Sequence, residues 1–176
     1  MYNICICNGR ETIVLDAAKS RYGLADPQAV AALTGREVLQ AIIAGALPAP
    51  PMAKTLDFEL VEVGDGRAVF EGEPGEAFLN PMGAVHGGWA LTLVDSATGC
   101  AGMSLLPPGG RYTTIETKVN FSRPIARDAG RVRTEAWIVS RGRRILSAEA
   151  RVTDTRGRIL AHGTSTLMIL NEGASS

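Results

Sequence analysis

The chain has 176 residues, 45% of them hydrophobic, and its 18 lysines and arginines balance 18 aspartates and glutamates. That length and apolar content suit one globular domain with a sizeable core, and the balanced charge gives no reason to expect a nucleic-acid partner. No stretch reads as a membrane-spanning helix or a cleavable signal, so no membrane partner is expected.

Three cysteines without metal-ligand spacing fit a reducing cytoplasm better than a disulfide scaffold. His86 and His162 are the two histidines, too few for a histidine-based metal site.

Residues 1–32 read as an N-terminal extension. Ile4-Cys5-Ile6-Cys7 and Thr12-Ile13-Val14-Leu15 flank Asn8-Gly9, the pattern of a small hairpin. Cys5 and Cys7 supply two thiols, too few for a metal or redox centre. Thr34-Gly35-Arg36-Glu37 then leads into Val38, Leu39, Ile42, Ile43 and Leu47, the spacing of an amphipathic helix with Thr34 as N-cap. Pro48-Ala49-Pro50-Pro51 ends it, because proline has no N–H and restricts the residue before it. Strands are expected over 56–63 and 67–73, joined by Gly64-Asp65-Gly66.

The stretch 80–102, NPMGAVHGGWALTLVDSATGCAG, organises the rest. Turn formers Asn80, Pro81 and Gly83 precede His86-Gly87-Gly88, and a helix apolar almost all round follows, which marks it as buried. Asp95 is its one acid, and an unpaired carboxylate there is costly, so it must be paired, neutral or in use. A Gly-Gly pair at a helix start leaves backbone N–H groups at the positive end with no side chain in the way, an arrangement that suits developing negative charge on an oxygen. Alternatively the glycines only permit a tight turn, and Asp95 only anchors the fold.

Gly88 and Asp95 are seven residues apart, hence on nearly the same helix face but separated by roughly 10 Å along the axis. One small reacting group cannot touch both within one chain. If both act on one substrate, the helix must face a symmetry mate, which predicts a two-fold dimer with shared sites.

After a loop at Pro107-Pro108-Gly109-Gly110, strands are expected over 112–121, 131–139, 145–154 and 158–170, with turns at Arg141-Gly142 and Thr155-Arg156-Gly157. Strands with one long helix and no βα alternation give an antiparallel α+β fold. Residues 33–171 form the domain and 172–176 a C-terminal tail.

Asn80, Gly83, His86-Gly87-Gly88, Leu93, Asp95 and Ala97 resemble the central-helix signature of the hotdog-fold acyl-CoA thioesterases, in particular the phenylacetate-degradation (PaaI-type) branch. The likeness extends through Thr113-Thr114, Val119-Asn120-Phe121-Ser122-Arg123-Pro124, Gly142-Arg143-Arg144 and the turn from Asp154 to Gly157, over about residues 33–170. It implies a sheet wrapped around one long central helix, and hydrolysis of a CoA thioester to carboxylate and free CoA with no metal or redox cofactor. In the resembling family, the acid matching Asp95 acts as nucleophile or as general base on water. Gly87 matches the amide donor that polarises the carbonyl, with Gly88 the near alternative. Asn80 matches a polar residue that holds water or the carbonyl, although an ordinary Asn-Pro turn needs the same residue. His86 matches a loop organiser. Thr114, or its neighbour Thr113, matches a hydroxyl assisting from the next strand, where a threonine needs no function to be at home.

Arg123, Arg141, Arg143 and Arg144 are expected to serve CoA phosphates as a cluster, against the alternative of a solvated basic hairpin. The resemblance also implies that the leading helix lies beside the acyl pocket, that the acyl group is aryl or short to medium chain, and that the dimer doubles into a homotetramer. Other readings are a non-catalytic acyl-CoA-binding module, a hotdog hydratase, which would want a histidine after Asp95, and a purely structural oligomer.

Overall fold

The computed structural model describes residues 4–7, 10–13 and 21–170. At the N-terminus, β1 (Ile4–Cys7) pairs antiparallel with β2 (Arg10–Ile13), with Cys7 opposite Arg10. The expected hairpin is present in backbone, while its Asn8-Gly9 turn and residues 14–15 lie outside the described residues, as does the tail.

Three short helices precede the sheet: α1 (Pro27–Val30), α2 (Gly35–Ile43) and α3 (Pro51–Thr55). The start of α2 is fixed by a capping box in which Thr34 Oγ1 accepts from the Glu37 N–H and Glu37 accepts from the Thr34 N–H. Gly35 is where α2 meets the end of the central helix: a Cβ there would lie 1.9 Å from the Met103 carbonyl oxygen, and the Gly35 N–H donates to Leu106 O. The leading helix thus packs within the chain at the C-terminal end of the central helix, away from the cleft described below.

A six-stranded antiparallel sheet forms the body. In chain order its strands are β3 (Phe58–Gly64), β4 (Arg67–Gly72), β5 (Arg111–Phe121), β6 (Val132–Arg141), β7 (Ile145–Thr153) and β8 (Ile159–Leu170). In space they run β3-β4-β6-β7-β8-β5, so β5 pairs with the last strand and forms a sheet edge. The central helix α4 (Gly87–Met103) lies on one face of this sheet. Along β7, Leu146, Ala148, Ala150 and Val152 are buried and alternate with exposed Ser147, Glu149 and Arg151, the period of a strand with one face on a core. Of these, Ala150 and Val152 share one core cluster with Ala90, Leu93, Val94, Ala97 and Ala101 of α4. Small residues let the layers close: a Cβ on Gly102 would lie 2.4 Å from a Leu167 methyl.

The outer face of β3, β4 and β6 carries a continuous chain of ion pairs. It runs Arg21–Glu59–Arg131–Glu71–Arg133–Glu62–Arg67–Glu135, with N–O distances of 2.6–3.2 Å. Most of these groups are well exposed, so their contribution is modest singly and comes from the network.

Candidate active site

The N-terminus of α4 is built by the loop before it. Asn80 Oδ1 accepts from the N–H groups of Met82 (2.9 Å) and Ala84 (3.2 Å), and the Asn80 N–H donates to Ala84 O. Gly83 takes φ +78°, a conformation that favours glycine, and closes the turn by donating to Asn80 O. Asn80 therefore ties the loop through its carbonyl oxygen, as the turn reading expects, and its Nδ2 donor is not spent on that turn.

His86 is the N-cap of α4, and its Nδ1 accepts from the Gly88 N–H at 2.9 Å. The Trp89 N–H donates to His86 O. Among the described residues, no acceptor meets the Gly87 N–H, which is left as the open donor at the positive end of the helix. His86 thus occupies the Gly88 N–H and leaves that of Gly87 open, a difference between the two glycines that the sequence left undecided. A Cβ at Gly87 would lie 2.9 Å from the tip of the Phe121 ring.

Beside this terminus lies a cleft of about 400 Å³, lined by Leu56, Phe78, Leu79, His86, Trp89 and Thr92 among others, with Gly88 at its edge. Phe78 and Trp89 stack at 6.2 Å and 24°, and Trp89 Nε1 donates to Leu56 O at 2.8 Å, which pins the indole in place. The walls are mostly apolar with a few polar edges, the usual make-up of a small-molecule site.

Two turns along α4, half-buried Asp95 accepts at Oδ1 from Thr117 Oγ1 of β5 at 2.9 Å. Thr117 Oγ1 lies 3.1 Å from Ser165 Oγ of β8, which is 3.0 Å from Glu116 O. Sequence reasoning missed Thr117, and the reason is a β-bulge. Thr114 pairs with Leu167 and Glu116 with Thr166, so Ile115 has no partner and the side-chain parity shifts. Tyr112, Thr114, Thr117 and Val119 consequently form the half-buried set facing α4, whereas Thr113 and Ile115 are exposed. Thr114 is on the Asp95 side of the strand and Thr113 is not.

Two further ionisable groups lie in the field of Asp95. Burial, reinforced by the Asp95 charge, pushes the Cys100 thiol up to about 12. The Tyr112 phenol is also raised, first by burial and then by Cys100 and Asp95. Both are neutral at physiological pH and neither is an available nucleophile.

The arginines do not form one cluster within a chain. Arg123 follows β5 at the Gly87 end of α4, with Nη1 donating to Ile159 O at 2.7 Å. Arg141 reaches Leu105 O just past the other end, and exposed Arg143 and Arg144 follow it in the β6–β7 turn. The two groups are separated by the length of α4, about 25 Å. Among the described residues, no three His, Cys, Asp or Glu side chains come together as a metal set, and no helix is long and apolar enough to cross a membrane.

With this geometry in place, comparison with known proteins decides the family. Residues 82–161 match the model described as "Thioesterase superfamily". The conserved protein PA5202 from Pseudomonas aeruginosa is 30% identical, with 68% of this chain and 94% of that one covered, at a TM-score of 0.64. The chain belongs to the thioesterase superfamily. A mutant of the phenylacetic acid degradation protein PaaI from Thermus thermophilus is 28% identical over 68% of this chain and 99% of that one, at a TM-score of 0.62. The 1,4-dihydroxy-2-naphthoyl-CoA hydrolase of Listeria monocytogenes is 25% identical over 118 residues, 67% of this chain and 94% of the hydrolase. The protein is accordingly a thioesterase of the hotdog fold, and its relationship to PaaI-type proteins agrees with the motif around His86 and Asp95.

Proposed function

We propose that this thioesterase hydrolyses an acyl-CoA to carboxylate and free CoA, in two equivalent sites shared across a homodimer. The observation that carries this reading is the pairing of an open Gly87 N–H at the start of α4 with a half-buried carboxylate, Asp95, two turns on. β5 is an 11-residue edge strand whose outer side pairs with no other strand among the described residues and whose Ile115 and Phe121 are 56% and 54% exposed. Long open edges of this kind recruit another strand. Pairing β5 with its own copy about a two-fold axis sets the two α4 helices antiparallel, so that Gly87 of one protomer faces Asp95 of its partner.

In that site the Gly87 N–H polarises the thioester carbonyl and stabilises the oxyanion that forms. Asp95 acts as general base: it takes a proton from water as the water oxygen bonds to the carbonyl carbon. The C–S bond then breaks and the proton returns to the CoA sulfur. Thr114 and the Asn80 Nδ2 donor hold the water or carbonyl, and His86 and Gly88 shape the edge of the cleft. Antiparallel helices also bring Arg143 and Arg144 of one copy toward the Arg123 end of the other, where CoA phosphates are bound. The apolar cleft beside Trp89 and Phe78 takes the acyl group. An aryl acyl group is supported by one relative named as a 1,4-dihydroxy-2-naphthoyl-CoA hydrolase and another named for phenylacetic acid degradation, and by the aromatic walls.

The test is free-thiol release from phenylacetyl-, 4-hydroxybenzoyl-, acetyl-, hexanoyl- and palmitoyl-CoA. Turnover with an aryl preference is expected. Tight binding of the same panel without thiol release would favour the non-catalytic binding module instead.

A further inference from the structure

We propose that Thr117 and Ser165 are positioning residues for Asp95, holding Oδ1 so that Oδ2 alone meets the attacking water. The inference rests on the reading of Asp95 as the reacting carboxylate. Proton counting fixes the direction of the chain. An ionised carboxylate only accepts, so the single Thr117 hydroxyl proton goes to Oδ1 at 2.9 Å. Thr117 then has none to offer Ser165, and the Ser165 proton goes to Thr117 Oγ1 at 3.1 Å or to Glu116 O at 3.0 Å.

Ser165 is 2% exposed, so its geometry is fixed by packing rather than by solvent. A charge-assisted bond at Oδ1 is the strong kind. The remaining ionisable groups around the carboxylate do not compete with it. Cys100 on α4 and Tyr112 on β5 are neutral. Glu116, Lys118 and His162 are exposed on the far face of the sheet. The charged groups of β3 and β4, with Arg133 and Glu135 of β6, are engaged in the outer ion pairs, Arg141 at the end of β6 reaches Leu105 O, and Glu149 and Arg151 of β7 are exposed.

The arrangement also suits the catalytic cycle. When Oδ2 takes the water proton, Oδ1 becomes the carbonyl oxygen of the acid and still accepts from Thr117. No hydroxyl has to turn, and no polar atom is stranded.

Thr117→Val keeps a β-branched residue in the strand and removes only the donor. Its kcat is expected to fall on the order of 10- to 100-fold with KM little changed, as for a misplaced reacting group. Thr117→Ser should restore most of the rate, and Ser165→Ala should cost less than Thr117→Val. A second readout does not depend on turnover: the Asp95 ¹³Cγ resonance at pH 7, assigned by its loss in Asp95→Asn, should move in Thr117→Val and return in Thr117→Ser. An unmoved resonance, or a moved one with kcat intact, overturns the proposal. If the unaltered enzyme cleaves nothing in the panel, the thioesterase reading of Asp95 falls, and the positioning role falls with it even where the resonance proves the contact.

Discussion

Thr134 on β6 carries a hydroxyl in the core that finds no hydrogen-bond partner among the described residues. A buried polar group without a partner costs more than an apolar one of similar shape. Thr134→Val is therefore expected to raise unfolding stability by about 1 kcal/mol, read as a higher urea midpoint at unchanged slope. Lower stability would show that the hydroxyl is hydrogen-bonded in the folded protein. Cys100 is a second residue-scale case. Its thiol is raised from 9.0 to about 12, so the stability it contributes is complete below pH 9 and is lost as pH rises toward 12. Base unfolding should begin later in Cys100→Ala than in the parent, and an unchanged profile would contradict the burial argument. At this scale much was legible: the isolated acid in an apolar helix singled out Asp95, which the fold sets against Thr117, and the paired glycines singled out the helix start beside the cleft. What separated Gly87 from Gly88 was not legible, because it depends on where the His86 ring turns.

At the scale of elements, α2, α4 and the six strands follow from periodicity, a capping signal and the proline stop after residue 47. The bulge in β5 did not. Strict alternation allows only one of the adjacent pair Thr113 and Thr114 to face the helix, and counts Thr117 on the wrong side relative to Thr114. A single unpaired residue, Ile115, reverses that count. Bulges leave little trace in composition, since the extra residue is an ordinary strand former. The edge itself is testable. Ile115→Lys places charge on the free edge, the device natural edges use against pairing. Sedimentation should show a shift from dimer toward monomer, with activity falling in parallel. A tight dimer of full activity would place the interface elsewhere.

At the scale of the whole molecule, the proposed catalytic groups of one chain stand apart. The cleft and the Gly87 amide stand at one end of α4, and the Asp95 carboxylate with its hydroxyl chain lies two turns away. The sequence already implied this, since the separation follows from helix rise alone. The split of the arginines between the two ends of α4 was not implied, because neighbouring motifs in a sequence give no distance across a sheet. Both features fit the proposed two-fold assembly, in which the partner would supply what each end of α4 lacks. The outer Arg–Glu chain lies on β3, β4 and β6, the half of the sheet away from β5.

The most direct test of shared sites is complementation between two inactive variants. Asp95→Ala removes the base. Gly87→Pro removes the amide proton at the first helical position, where proline is tolerated; His86 already has the extended backbone, φ −64° and ψ 132°, that a following proline requires. The exposed Phe121 ring tip is the flexible group that must move aside. Each homodimer should be inactive in thiol release from an aryl-CoA. After unfolding and refolding together in equal amounts, half of the dimers are mixed and each has one intact site, so roughly a quarter of the parental activity should return. No recovery from a demonstrably mixed dimer would contradict the shared site and confine Gly87 and Asp95 to separate roles within one chain.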